Sequence, residues 1–194
     1  MPRQAQLRHA RQESRERIVA AATELVRHQS YGELSIGVVM ERAGFGRTIF
    51  YRHFDDLGDL LVRASRNAIK SLYAAQRPLG SAADRDAEDV VAKAVKRAVA
   101  VYRTHGPLLR AVVEAAASDP EVAAGHNAMR RQFDGLVEQA LRERGGRFAD
   151  VAETARALNR LNEAYLLDAF GREPRIATET AVQTLTEIWM GVVP

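Results

Sequence analysis

Hydrophobic positions recur with a helical period along nearly the whole chain, and no stretch alternates for long enough to indicate a β-strand. Between residues 14 and 30 the apolar side chains fall on one helical face, which begins at Ile18 and ends at Val26. Ser14 precedes that face as a candidate N-cap, and Gly32 follows its end. The pattern predicts an amphipathic helix here and an all-α protein.

Candidate caps and helix-breaking residues divide the rest of the chain into further predicted helices. These cover residues 35–43, 46–53, 56–76 and 84–104, a segment that begins at Pro107, residues 119–144 and 150–171, and a last helix that carries Ile176 and Val192. We therefore expect about nine helices in total, with no internal repeat.

The segment ERAGFGRTIFYRHF, residues 41–54, carries the most informative pattern. Two short predicted helices joined by a few residues that include glycine describe a helix-turn-helix. Gly44 stands where the chain needs a left-handed conformation, and Phe45 is the apolar residue expected to pin the corner to the core. Gly46 lies at the N-cap of the second helix, where a missing side chain lets another backbone approach.

The second short helix separates its residues by face. Ile49, Phe50 and Phe54 are apolar and predicted to be buried. The other face carries donors suited to phosphates and base edges, namely Arg47, Thr48, Tyr51, Arg52 and His53. The alternative is a solvated face on a small bundle, but the glycine turn, the donors and the basic segment upstream together favour DNA binding.

Basic residues are concentrated at the N-terminus, although the net charge of +3 says little about partners by itself. Five arginines and His9 lie in the first 17 residues, against two glutamates. This predicts a basic arm over residues 1–13, with a solvated, partly disordered tail as the alternative. The segment has no apolar core, so we expect no signal peptide, and with no apolar run of membrane-spanning length the expected setting is the cytoplasm.

Composition and motifs argue against an enzyme. The chain has no cysteine, which excludes a disulfide framework, a thiolate metal site and a cysteine nucleophile. There is no glycine-rich phosphate loop and no nucleophile elbow. The histidines are distributed over different predicted helices at positions His9, His28, His53, His105 and His126. We therefore predict neither a catalytic site nor a metal or cofactor.

Residues 14–62 resemble the TetR family of bacterial transcriptional repressors, whose DNA-binding domain has three helices with the helix-turn-helix in the second and third. The matching stretches are SI at residues 35–36, ERAGFGRTIFYRHF and DLL at residues 59–61. The resemblance implies that Arg47 and Thr48 contact DNA and that the Tyr51 hydroxyl reaches a phosphate. It further implies a DNA-facing site that includes Ser35, at a helix N-terminus, together with Gly46, Arg52 and His53.

Several positions depart from the family pattern. Leu57 stands where the family has lysine, which removes one expected phosphate contact, and Met40 replaces a small residue where two helices cross. Gly37 and Val38 replace acidic residues, so Ser35 lacks a capping-box partner and the second helix should be weak alone. A lipophile-binding helical module with weak or ligand-dependent DNA binding is therefore the alternative function.

Residues 63–194 are expected to form an all-helical ligand-sensing and dimerisation domain. The stretches ALNRLNEAYLLDAFGREP and LTEIWMGVV resemble the EthR-type branch, whose tunnel-like pocket takes elongated lipophilic molecules. Asn159 and Asn162 lie three residues apart on an otherwise apolar helix, so they either bond within the core or interface or point at a ligand. The candidate pocket residues are Val95, Tyr102, Phe133, Leu136, Asn159, Asn162, Leu166 and Trp189, although apolar stripes of this kind also form ordinary core.

The resemblance also implies an assembly and a mechanism. In this family the last two helices of each chain pack as a four-helix bundle across a two-fold axis, which places two recognition helices on a palindromic operator. The expected function is a DNA-binding repressor that a lipophilic small molecule releases from double-stranded DNA. Co-repression or activation by the ligand is the remaining alternative.

Overall fold

The computed structural model describes residues 2–80, 87–145 and 148–192, and these residues form eight α-helices and one short 3-10 turn, with no strand among them. The helices are α1 (Pro2–Leu25), α2 (Ile36–Ala43), α3 (Arg47–Phe50), α4 (Leu57–Gly80), α5 (Ala87–Ala116), α6 (Pro120–Glu143), α7 (Val151–Phe170) and α8 (Thr178–Met190). The 3-10 turn covers Tyr31–Glu33. No helix within these ranges is long and apolar enough to span a bilayer. The all-α prediction is confirmed.

The N-terminal segment differs from its prediction. α1 begins at Pro2, so the predicted N-cap at Ser14 is wrong, and the basic arm is helical and continuous with α1. Ser14 lies inside the helix, where its hydroxyl donates to the carbonyl of Arg11 at 2.9 Å. Alanine, glutamine, leucine and arginine in this segment favour helix, and the proline occupies the first turn, where it costs no hydrogen bond.

The predicted break before Pro107 is also wrong, because α5 runs for 30 residues through Gly106 and Pro107. An internal proline removes one helical hydrogen bond. Tertiary packing compensates for that loss, since Gly106 is buried against the end of α7. The two predicted helices are therefore one, and the described residues contain eight α-helices where nine were expected.

Polar caps start the later helices where the sequence predicts them. The Asp119 carboxylate accepts from the amides of Glu121 and Val122 at the start of α6. Asp150 accepts from the Glu153 amide at the start of α7. Asp56 accepts from the Asp59 amide at 2.8 Å beside the first turn of α4. These bonds satisfy amides that have no partner within their own helix.

Two hydrophobic clusters organise the packing. The first, which we call the head core, lies among α1 to α4 and includes Ile18, Phe50 and Leu60, all 0% exposed. The second, the sensor core, lies among α4 to α8. α4 contributes to both, and part of α5, from Leu108 to Ala115, packs into the head core. The head therefore rests directly on a helix of the second domain.

Candidate DNA-binding face and effector cavity

The corner between α2 and α3 has the geometry that its glycines predict. Gly44 adopts φ +74°, and its amide donates to the Glu41 carbonyl at 3.1 Å. The Phe45 amide donates to the Met40 carbonyl at 3.0 Å, which closes a Schellman-type turn. A side chain at Gly44 would be strained in this conformation. The turn therefore sets the angle at which α3 leaves α2.

Arg17 of α1 holds this corner from outside. Its guanidinium donates to the carbonyl of Ala43 at 2.8 Å and stacks 4.4 Å from the centre of the Phe45 ring. The hydrogen bond satisfies a carbonyl at the end of α2, where helix carbonyls lack partners, and the stacking holds the Phe45 ring against α1. Arg17 belongs to the basic N-terminal group of the sequence, and only the packing shows that it supports the turn.

α3 separates an apolar face from an exposed one. Phe50 and Phe54 are 0% and 2% exposed, with ring centres 5.6 Å apart, and they anchor the helix to the head core. Tyr51 is 61% exposed and meets Phe50 edge to face, with ring centres 5.5 Å apart. Its hydroxyl therefore points away from the core on a fixed ring.

Six of the seven predicted DNA-facing residues are exposed on the helix-turn-helix. We call this surface the recognition face, and it comprises Ser35, Gly46, Arg47, Thr48, Tyr51 and Arg52. The Ser35 hydroxyl also caps α2, since it accepts from the Val38 amide at 3.2 Å. The face presents cationic and hydroxyl donors, which is the chemistry that positions a protein on a phosphate backbone.

His53, the seventh residue, is half-buried and engaged with α1. Ser14 donates its hydroxyl proton to Arg11, so His53 Nε2 donates to the Ser14 oxygen over 2.9 Å. Burial first, and then the positive charges of Arg11, Arg15 and Arg52, lower the pKa of His53. The imidazole is therefore neutral at neutral pH and ties the end of α3 to α1.

The departures from the family pattern fit local packing. A Cβ on Gly37 would lie 2.7 Å from a terminal nitrogen of Arg47, so the glycine leaves room for that guanidinium over the first turn of α2. Met40 is 1% exposed and fills the head core, and Leu57 packs against it. Gly37 thus affects how Arg47 is presented on the recognition face.

A cavity of about 70 Å³ lies between α4, α5, α6 and α7. Five of the predicted pocket residues line it, namely Tyr102, Phe133, Asn159, Asn162 and Leu166. Two other predicted pocket residues, Val95 and Trp189, line a second cavity of about 20 Å³. Leu136 is half-buried and lines neither cavity. Gln76, Ala98 and Asn162 line both, so they separate the two spaces.

Both predicted asparagines form hydrogen bonds within the protein. Asn159 donates through Nδ2 to Asp134 Oδ1 at 3.0 Å. Asn162 accepts at Oδ1 from the indole N–H of Trp189 at 3.0 Å. Of the two interpretations of this pair, core hydrogen bonding thus describes this structure, and Asn162 also lines both cavities.

The cavity also contains an ionic cluster that the sequence pattern does not reveal. The Glu163 carboxylate accepts from His126 Nε2 and from Arg130 Nε, each at 2.8 Å. Burial raises the pKa of Glu163, but the hydrogen bonds and charges of His126 and Arg130 outweigh it and hold the pKa below its usual value. Burial and the Glu163 charge raise the pKa of Tyr102. His126 and Arg130 lie four residues apart on α6, but no local spacing relates them to Glu163 on α7.

Replacing Glu163 by glutamine is expected to lower the free energy of unfolding at pH 7 by about 1–3 kcal/mol, because Arg130 loses a charged acceptor inside the protein. A carboxyl with a lowered folded-state pKa stabilises the fold above its usual pKa, and this contribution disappears as the pH falls through the folded value. The wild type should therefore lose more stability than Glu163→Gln below pH 4.5.

Urea unfolding at pH 7 and at lower pH measures both effects. Glu138→Gln is the matched control, since Glu138 pairs with Arg142 on the surface of α6 and should contribute only about 0.3–0.5 kcal/mol. Equal losses in the two variants would show that the Glu163 cluster does not stabilise the fold.

The cavity and the head share a wall. Val112 of α5 lines the 70 Å³ cavity and is also part of the head core. Glu114, one half-turn further along α5, accepts from the Tyr31 amide of the head at 2.9 Å. The head also packs closely against α6, since a Cβ on Gly58 of α4 would lie 2.7 Å from Asp119 Oδ2 and from Val122 of α6. The cavity wall and the base of the head are therefore in direct contact.

The fold combines a helix-turn-helix that has a donor face with a second, all-helical domain. This combination is typical of DNA-binding proteins with an attached helical domain. Residues 18–64 match the profile of bacterial regulatory proteins of the tetR family, and residues 91–193 match that of the C-terminal domain of the transcriptional regulator EthR. The chain belongs to the TetR family of transcriptional regulators, with a C-terminal domain of the EthR type. The prediction of a regulator and not an enzyme is confirmed.

Individual relatives agree with this assignment. Over 186 residues the chain is 27% identical to the HTH-type transcriptional regulator EthR of Mycolicibacterium smegmatis, covering 89% of this chain and 82% of the relative. Its fold is similar to that of the TetR-family regulator PfmR from Thermus thermophilus, with TM-score 0.74, 18% identity and coverage of 91% and 98% of the two chains. It is also similar to NalD from Pseudomonas aeruginosa, with TM-score 0.72, 22% identity and coverage of 94% and 98%.

Proposed function

We propose that this regulator is a repressor that a lipophilic small molecule releases from its operator. The observation that carries the proposal is the shared wall at Val112, which lines the cavity and packs into the head core. A molecule that enlarges the cavity displaces the base of the head without any further intermediary. The ligand then lowers DNA affinity by as much as its affinities for the two conformations differ.

The size of the cavity supports a two-state mechanism. A space of about 70 Å³ holds only a few water molecules, whereas ligand pockets commonly enclose roughly 300–1,000 Å³. An effector therefore selects a more open arrangement than the one described, most simply by joining the two cavities across Gln76 and Asn162. Such a molecule has the differential affinity that induction requires.

The character of the effector follows from the cavity wall and from two similar proteins. Phe133, Leu166 and their neighbours make the wall largely apolar. One similar solved structure is described as a fatty acid degradation regulator, FadR of Bacillus halodurans, and NalD as a secondary repressor of a multidrug efflux pump. Both descriptions suit a regulator that responds to lipophilic molecules.

We further propose a two-fold dimer that binds a palindromic operator through two recognition faces. Leu161 of α7 is 39% exposed, and Tyr165, one turn further on, is only half-buried. A partly exposed apolar stripe on this helix suits packing against the same helix of a second subunit. The dimer then presents Arg47 and Tyr51 twice, one helical turn of DNA apart.

Selection of genomic fragments by the purified protein tests this function, followed by footprinting of the enriched fragment at two salt concentrations. A palindromic footprint with steep salt dependence is expected, since phosphate contacts release counterions. Failure to enrich any fragment would favour the alternative of a lipophile-binding module whose DNA binding is weak or requires the ligand. The half-buried Leu57, at a position that offers no charge to DNA, is the observation behind that alternative.

Replacing Asn162 by leucine is expected to change the effector concentration needed for release from DNA about tenfold, with DNA affinity of the free protein nearly unchanged. Asn162 separates the two cavities and accepts from Trp189, far from the recognition face. A tenfold change corresponds to the loss of about one hydrogen bond between the protein and the effector. Titration of the operator complex with effector measures it, and an unaltered response would move the effector site elsewhere.

A further inference from the structure

Gln76 of α4 holds a buried acceptor without a partner at the boundary of the two cavities. Its side chain lines both cavities, and its Oε1 accepts no hydrogen bond from any group in the described part of the chain. An unpaired buried carbonyl is costly, so such groups are rare unless something binds to them.

The orientation of this amide follows from a chain of bonds that starts at a carboxylate. Asp134 can only accept, and it receives Arg160 Nη2 on Oδ2 and Asn159 Nδ2 on Oδ1, both at 3.0 Å. Asn159 therefore turns its own oxygen the other way, where it accepts from Gln76 Nε2 at 3.4 Å.

A flipped Gln76 amide would place two acceptor oxygens against each other. Asn159 cannot flip to relieve this, because its amide nitrogen would then leave the carboxylate of Asp134. The carboxylate thus determines that Gln76 offers an oxygen at the cavity boundary. The missing partner of Gln76 is a hydrogen-bond donor.

The charges around the cavity are already paired. Glu163 accepts from His126 and Arg130, and Asp134 accepts from Arg160. A charged ligand group would meet no unpaired opposite charge on these residues and would lose its hydration on entering. An uncharged donor on an apolar body matches both the wall and the open acceptor.

We propose that the effector is an uncharged amphiphile whose hydroxyl or amide N–H donates to Gln76 Oε1. This inference rests on the proposed function and specifies the chemical class of its effector. Gln76 lies on α4, the helix whose first turn packs in the head core, so the bond attaches the ligand to the element that joins head and sensor. Gln76 is then both a specificity determinant and a coupling residue.

Three probes with the same ten-carbon chain test the proposal: 1-decanol, its methyl ether and decanoate. The ether keeps an acceptor oxygen for groups such as Asn162 and lacks only the donor. Calorimetry on the full-length protein gives the affinities. Fluorescence of Trp189, the one tryptophan in the chain, reports occupation of the second cavity because this residue lines it.

The alcohol is expected to bind the wild type about 5- to 10-fold more tightly than the ether, the effect of one hydrogen bond, with decanoate weakest. Gln76→Met keeps an unbranched side chain of similar length and should abolish the difference between alcohol and ether. Gln183→Met, on α8 and away from both cavities, is the matched control and should preserve it.

Equal binding of alcohol and ether to the wild type would overturn the proposal, as would discrimination that survives in Gln76→Met or the absence of binding by any probe. Operator binding by the same samples is measured separately. A protein that discriminates the probes but binds no operator would retain the Gln76 site and refute the repressor. Release of the operator by alcohol and ether at equal concentrations would support the repressor and refute the Gln76 site.

Discussion

Arg47→Ala is expected to weaken operator binding about 10- to 100-fold and to reduce the slope of log affinity against log salt by about one. Arg47 is the first residue of α3, is exposed, and lies over Gly37 at the start of α2. Its guanidinium can therefore reach a phosphate or a base edge without moving the helix. A contact to a base would additionally relax sequence preference at one operator position.

Tyr51→Phe removes a single hydroxyl and should weaken operator binding about 3- to 10-fold, the effect of one hydrogen bond to a charged group. The substituted ring keeps its edge-to-face contact with Phe50, so helix content and unfolding temperature should not change. Circular dichroism and operator binding at several salt concentrations measure both variants. Arg131 is an exposed residue of α6 outside the recognition face. Arg131→Ala removes the same charge and should leave the affinity nearly unchanged.

Wild-type affinity in both Arg47→Ala and Tyr51→Phe would show that α3 does not read DNA. A loss equal to that of Arg131→Ala would mean that only the overall charge of the protein matters. Either result would contradict the placement of the recognition face, whatever the operator sequence.

Gly106→Ala is expected to lower the free energy of unfolding by about 3 kcal/mol, the largest stability effect that we predict. A Cβ at this position would lie 2.1 Å from the backbone carbonyl oxygen of Phe170 and 3.2 Å from the amide nitrogen of Gly171. Backbone atoms cannot turn aside as a flexible side chain can. α5 and the end of α7 must therefore separate, which also disturbs the wall near Leu109 and Val112.

Gly125→Ala on α6 is the matched control, because a Cβ there meets nothing within 4 Å. Alanine favours helix over glycine, so this variant should be more stable by about 0.5–1 kcal/mol. Thermal unfolding distinguishes the two substitutions, with about 2–4 °C expected for each kcal/mol in a chain of this size. A Gly106→Ala variant as stable as the wild type would refute the close contact between α5 and α7.

Local signals predicted the elements whose causes are local. Gly44 adopts the left-handed conformation that a helix-turn-helix requires, and Asp119 and Asp150 cap the helices that they precede. In each case a few neighbouring residues determine the backbone. The same signals were misleading at Ser14 and Pro107, where both residues lie inside long helices. A cap or a break is only a preference of about 1–3 kcal/mol, which surrounding helix formers and tertiary contacts can outweigh.

The candidate site divides in the same way. The exposed donors of the recognition face could be named in advance, because they occupy one side of a short helix whose other side is aromatic. His53 and Arg17 are also basic side chains of the N-terminal region, yet His53 bonds to Ser14 and Arg17 supports the turn between α2 and α3. Their partners are 39 and 26 residues away along the chain, and no local pattern relates them.

The amino-acid sequence by itself determined an all-helical protein with a helix-turn-helix, because helical periodicity, turn glycines and caps operate over a few neighbouring residues. The family was indicated by the resemblance of residues 14–62. The tertiary structure alone decided that α5 continues through Pro107, that Val112 joins cavity to head, and that the Gln76 carbonyl lacks a partner within the described residues. These features depend on which groups from distant helices meet in the interior. There the cost of an unpaired polar atom or a close backbone contact exceeds any local preference.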